Sequence, residues 1–199
     1  MKKLVFCTLL LLLIFFTGAC SKGDRKIDVD EVTESTLLAK TNGEIQVATV
    51  EEFDKTYYSL SGLQDYIGEE IAAYNKKLGE NKITVDSVKV VDNKAIMLLT
   101  YTGMDQYTAF NDVKAAYFNG GIKDIPLELP ATLINAKDQS LVSTQETIQS
   151  EGYRILVLYE PYRIVVDGKV KFYSDKAKLI DENEVQSAAE GMTIVVYKP

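Results

Sequence analysis

The sequence holds no histidine and no tryptophan, and both of its cysteines, Cys7 and Cys20, fall within the first twenty residues. Without histidine, neither a Ser-His-Asp nor a Cys-His arrangement can be assembled. Zinc or iron bound through imidazole is excluded on the same ground. Beyond Cys20 there is no thiol for a nucleophile, a metal ligand or a disulfide. The patterns G-x-S-x-G, S-x-x-K, G-x-G-x-x-G and the P-loop are all missing. Whatever folds after Cys20 must be held by packing alone. An excess of basic charge is missing too: 22 Lys and Arg face 29 Asp and Glu, a net charge of −7. No Lys/Arg stripe interrupts that balance, so nucleic acid is not an expected partner.

What is present starts with an ordered trio at the N-terminus. Lys2 and Lys3 are followed by an apolar run from Leu4 to Phe16, broken only by Thr8, and then by the small residues Thr17, Gly18 and Ala19. A charged start, an apolar middle and a small-residue end make the layout of a secretory signal. The run is shorter than the ~20 residues a membrane span needs. Thr17-Gly18-Ala19-Cys20 resembles the lipobox of bacterial lipoproteins, with Thr17 where that family usually has leucine. The resemblance covers residues 1–20 only. It implies cleavage before Cys20, lipid of the palmitate type on its sulfur, and a membrane partner reached through that lipid. Diacylation with a further N-acyl chain exceeds the two signals that stable attachment needs. Loss of residues 1–19 takes two lysines with it, which leaves 180 residues and moves the net charge from −7 to −9. That length suits one domain or two small ones. The acidic surface should stand off anionic headgroups apart from its anchor.

Ser21 to Glu34 is polar, with Ile27, Val29 and Val32 as its apolar residues, and reads as a flexible acidic tether. Thr36 to Val50 reads as a hairpin whose Asn42-Gly43 supplies the two positive φ values of a type I′ turn. Leu60, Leu63, Ile67, Ile71, Tyr74 and Leu78 recur at helical spacing, with Ser61 and Gln64 as a capping box and Gly79 at the C-terminus. Ile83 to Tyr101 reads as a second hairpin, with a bulge at Asp86-Ser87 and a turn at Asp92-Asn93. A second helix is expected from a capped start at Thr102 and Asp105 through Tyr117 to Asn119. Leu127-Glu128-Leu129, between Pro126 and Pro130, reads as an edge strand at best, and Ser143 with Glu146 as the cap of a short helix. Arg154–Tyr159 reads as a strand that Glu160-Pro161 breaks or puts at an edge. Asp167-Gly168 joins Tyr162–Val166 to Lys169–Tyr173 as a hairpin, and Thr193–Tyr197 is a final docked strand. The expected class is α+β: antiparallel β-hairpins forming a sheet with two main helices packed on it. The expected organisation is a signal over 1–19, Cys20 and the tether over 20–34, and one domain over 35–199. A sub-boundary, if there is one, falls within 122–150.

Three groups of residues are candidates for function. Glu51-Glu52, Glu69-Glu70 and Asp181-Glu182 with Glu184 are carboxylates, but a working pair must face across a cleft, which neighbours in sequence do not do. Asp28, Asp30, Glu31 and Glu34, like Asp181-Glu182-Asn183-Glu184, lack the glycine of a calcium loop and read as a solvated linker and a turn. Tyr57, Tyr58, Tyr153, Tyr159, Tyr162 and Tyr173 could line a sugar or peptide surface, while Tyr66 and Tyr74 read as rim residues of the first helix. The expectation is a lipid-anchored protein on the extracytoplasmic face of the cell membrane, a non-enzymatic module that binds a protein or glycan. No catalytic residue, metal or cofactor is expected, and Cys20 is the one modified residue. Two alternatives stay open: an envelope polysaccharide hydrolase with a carboxylate pair, and a small-solute-binding lipoprotein.

Overall fold

The structure, a computed structural model, describes residues 25–122 and 125–199. The expected signal and Cys20 lie outside the described residues. Among the described residues there are thirteen strands and three helices, so the chain is mostly β with some helix. No helix among them is long and apolar enough to cross a membrane.

The strands form two sheets rather than the one expected. In chain order they are β1 (Thr36–Ala39), β2 (Ile45–Glu52), β3 (Ile83–Val91), β4 (Lys94–Tyr101), β5 (Ala115–Asn119), β6 (Thr132–Asn135) and β7 (Leu141–Ser143). They continue with β8 (Arg154–Leu158), β9 (Arg163–Val166), β10 (Lys169–Tyr173), β11 (Lys178–Asp181), β12 (Glu184–Gln186) and β13 (Thr193–Lys198). The first sheet runs β11-β12-β9-β1-β2-β4-β3 and the second β5-β8-β13-β10-β6-β7. The first is mixed, because β1 lies parallel to β9, with Leu37 opposite Ile164. The helices are α1 (Leu60–Leu78), α2 (Met104–Asn111) and α3 (Thr144–Ile148).

Alternation along the strands divides the core. Leu156, Leu158, Val195 and Tyr197 of the second sheet meet Leu37, Ile45, Val47 and Ile164 of the first in one cluster, which α1 and α2 complete through Ile67, Ile71, Met104 and Tyr107. The intervening residues Ile155, Val157, Ile194 and Val196 point the other way, into a second cluster with Ile125, Leu133 and Ile148. β8 and β13 are thus buried on both faces, which is why residues 155–158 and 194–197 are apolar without a break. β8 lies between β5 and β13, so Glu160-Pro161 ends an interior strand, not an edge.

Four further expectations change. The first turn is not type I′: only Gly43 has positive φ (91°), and Lys40 bonds Glu44 through its N–H. A three-residue loop ending in a left-handed glycine replaces the two-residue one. Type I′ geometry occurs instead at Asp92 and Asn93, with φ of 50° and 59°. The second helix stops at Asn111 because Asp112 turns left-handed (φ 52°), and its cap is Gly103 with no side-chain bond. Val113 and Tyr117 then belong to strand spacing: Val113, Ala115 and Tyr117 face the first cluster, Ala116 and Phe118 the second. A four-residue interval fits either period, which is how the helix was extended too far. Leu127 and Leu129 form no strand and pack on the second cluster. Asp167-Gly168 is not a hairpin but a corner, since β9 pairs β1 and β12 while β10 pairs β13 and β6. The glycine is needed there because a Cβ would sit 2.3 Å from the Lys198 carbonyl oxygen.

Residues 25–34, expected as part of the tether, lie against the first sheet. The Ile27 N–H donates to Gln46 Oε1 (2.7 Å), and Lys89 pairs with Asp30 (2.6 Å). Ile27, Val29 and Val32 are half-buried while their neighbours are exposed. Residues 122–150 supply β6, β7 and α3, so both sides of that stretch belong to one sheet.

Candidate functional site

The first helix sets the site. Ser59 is its N-cap and accepts from the Gly62 N–H (3.1 Å), in place of the expected Ser61. A Cβ on residue 62 would lie 2.8 Å from that hydroxyl oxygen, so glycine keeps the cap intact. At the other end Gly79 is left-handed (φ 73°), as its position predicts. The helix packs on β3 through Ile67 and Ile71, while α2 leans on β4 and β5. Between α1, α2 and β4 the chain leaves a groove.

The groove has two connected parts. The inner cavity, about 630 Å³, runs from Leu63 and Tyr74 of α1 over Met97 and Leu99 of β4 to Phe110 of α2. Its far wall is braced by rings at right angles: Tyr74 on Phe110 at 5.4 Å and Tyr101 on Tyr107 at 5.4 Å. Asn111 Nδ2 donates to the Tyr101 hydroxyl (3.1 Å) and to the Tyr107 carbonyl (2.8 Å), and the Tyr107 hydroxyl donates to that of Tyr162 (3.1 Å). Burial pushes the Tyr101 hydroxyl up to about 12, against the easing effect of Asn111. Burial raises Tyr107 and Tyr162 as well. These phenols are structural, neutral donors and acceptors.

The outer cavity, about 500 Å³, shares Leu63, Tyr66 and Met97 with the inner one. It opens where β2 ends, at Glu51 and Glu52, and where the link to α1 carries Phe53, Tyr57 and Tyr58. Phe53 and Tyr58 lie 4.9 Å apart, and Tyr57 meets Tyr58 edge-on at 4.9 Å. Tyr57 is 79% exposed and Tyr66 63%. These rings are held open to water at the lip of the cleft.

Of the expected candidates, the structure brings Glu51, Glu52, Tyr57 and Tyr58 together and places Glu70 in the inner cavity. Asp181, Glu182 and Glu184 sit at the far edge of the first sheet. There Glu184 holds Arg163 through two bonds (2.5 and 3.0 Å), which raises the guanidinium pKa, and Glu182 pairs with Lys169 (2.7 Å). Asp28 closes a local turn on Asp30 N–H. Among the described residues no group of three or more His, Cys, Asp or Glu is placed to hold a metal ion. Tyr162 and Tyr173 are buried, Tyr173 donating to Gln139 (2.7 Å). Tyr153 and Tyr159 pack on the second cluster. Met97, Leu99 and Phe110, which sequence reasoning did not single out as site candidates, line the inner cavity, and Tyr66, read as a rim residue, sits exposed at its lip. The usable signal was density: Tyr57, Tyr58, Tyr66 and Tyr74 are four of the twelve tyrosines.

Comparison of the chain with protein-family models, with curated proteins and with solved structures finds no match.

Proposed function

We propose that this protein is a lipid-anchored binding module on the extracytoplasmic face of a bacterial membrane, held through Cys20, and that it captures its partner in the groove between α1 and β4. The observation that carries the binding site is the open cluster of Tyr57, Tyr58 and Tyr66 at the lip of an apolar cleft. The anchor is supported by the order of residues 1–20. Tyrosine offers a ring face and a hydroxyl together, which suits wet and adaptable interfaces.

Two measurements test the two halves. Cys20→Ser should release the protein from membranes, and mass spectrometry of the native chain should find acyl groups on Cys20; a native chain without lipid overturns the anchor. A photo-crosslinking residue in place of Tyr66 should give adducts on intact cells, whereas the same residue at Leu141, 68% exposed on β7, should not. A second reading draws on Glu51 and Glu52 in one cavity and Glu70 in the adjoining one, carboxylates on two walls of one cleft. In that reading the protein hydrolyses envelope polysaccharide, and Glu70→Gln abolishes release of reducing ends.

A further inference from the structure

Residues 25–34 cross the outer face of the first sheet, from β9 to β3. Arg25 and Lys26 stand with Leu38, Arg163 and Val165. Ile27 follows, bonded through its N–H to Gln46, and Asp30 reaches Lys89 on β3. The return to β1 is fixed at Ser35, whose hydroxyl accepts from the Val50 N–H (3.1 Å). The sheet is shaped for this cover in two ways. Gln46 is 5% exposed, and its amide N–H groups are taken by Asp86 (3.3 Å) and Thr100 (3.1 Å), so its oxygen is aimed at Ile27. Leu38, Ala48 and Leu98 share that face by alternation and are buried. Lifting the segment would leave a buried carbonyl without a donor and open an apolar sheet face to water. The groove lies on the other side of the same strands. Leu37, Val47 and Leu99, next in the chain to Leu38, Ala48 and Leu98, turn toward the core that α1 completes, and Leu99 lines the inner cavity.

We infer that residues 25–34 are a docked strap that holds the domain close to the bilayer, with the outer face of the first sheet toward the membrane and the groove turned away from it. This rests on the reading of Cys20 as the lipid-bearing residue and adds how the groove is presented. Cys20 and Arg25 are five residue steps apart, which span at most about 18 Å in any conformation. With the strap lifted, the fifteen steps from Cys20 to Ser35 would reach about 50 Å. Asp28, Glu31 and Glu34 are exposed on the strap, so anionic headgroups do not attract it. The short reach of the chain, and the face on which it ends, set the orientation.

The lipidated full chain is reconstituted in phosphatidylcholine vesicles that carry an acceptor dye on a headgroup. After cleavage Cys20 is the one native cysteine, and its sulfur carries lipid, so a single introduced cysteine takes the donor dye. One donor is placed on the strap with Thr33→Cys. The other is placed on the solvent side of α1 with Glu69→Cys, two residues from each of the buried Ile67 and Ile71. Packed layers stand about 10 Å apart, so energy transfer from position 33 should exceed that from position 69 by at least about twofold. Six Gly and Ser residues inserted between Asp24 and Arg25 leave the strap in place and add up to about 20 Å of reach. Both transfers should then fall, and their ratio should approach one. Transfer from position 69 equal to or above that from position 33, or an insertion that changes neither, overturns the inference and leaves the anchor. A native chain whose Cys20 carries no lipid by mass spectrometry overturns the anchor and this inference with it.

Discussion

Raising the pH should unfold this protein through its buried tyrosines, and Tyr101 allows the effect to be worked out. Its hydroxyl is 2% exposed as a residue and sits at about 12 in the fold, against 10.0 for an ordinary tyrosine. The folded state therefore keeps a proton that the unfolded chain gives up. Stability falls with pH wherever the native state binds more protons, so this contribution is complete below pH 10 and is lost between 10 and about 12. The loss across the whole window is on the order of 2–3 kcal/mol. Tyr107, Tyr117, Tyr162 and Tyr197 are shifted upward by burial as well and act with the same sign. Against a total stability of about 5–15 kcal/mol, the Tyr101 loss alone is a sizeable fraction. Urea unfolding at about pH 8 and about pH 11 measures the difference, and Tyr101→Phe isolates one part of it. The variant loses the Asn111 bond at both pH values, roughly 1 kcal/mol, but its fall between them should be smaller than native by on the order of 1 kcal/mol. Equal falls for both proteins, or full phenolate absorbance in a chain that keeps its native circular dichroism, would refute the reasoning.

The packing makes three further predictions. Leu156→Ala, at the centre of β8 and fully buried between the sheets, should cost about 3 kcal/mol and lower Tm by about 10 °C in a thermal melt. Gly168→Ala should cost about 1–3 kcal/mol, read from urea midpoints, because the new Cβ meets backbone atoms of Lys198 and Pro199 at 2.3–2.9 Å. Gly68→Ala in the middle of α1 meets nothing within 4 Å and should raise stability by about 0.5–1 kcal/mol in the same assay.

Local signals were legible where one residue type does one job. Gly79 ends α1, Asp92-Asn93 turns β3 into β4, and the bulge after Val85 falls where alternation changes phase. Pairing was not legible, because it depends on what the other strands leave open. Asp167-Gly168 has the composition of a hairpin turn, yet β9 finds β1 and β10 finds β13, residues far away in the chain. The division into two sheets follows from that same corner. In residues 25–34 the charges dominate the composition, but the half-buried Ile27, Val29 and Val32 decide where the segment goes. The site was legible in part. Tyr57, Tyr58, Glu51 and Glu52 stood out as residue types, whereas their meeting with Leu63 and Met97 depends on how α1 lies on the first sheet.

The groove as a binding surface is tested most directly by the cross-link from position 66, made in the native background and with Ala73→Trp. Ala73 lines the inner cavity, and an indole there fills the space beside Tyr74 and Met97. The account predicts a discrete adduct in the native background and its loss with Ala73→Trp, while the melting temperature stays unchanged. An adduct that persists with the cavity filled, or equal adducts from position 141, would contradict it.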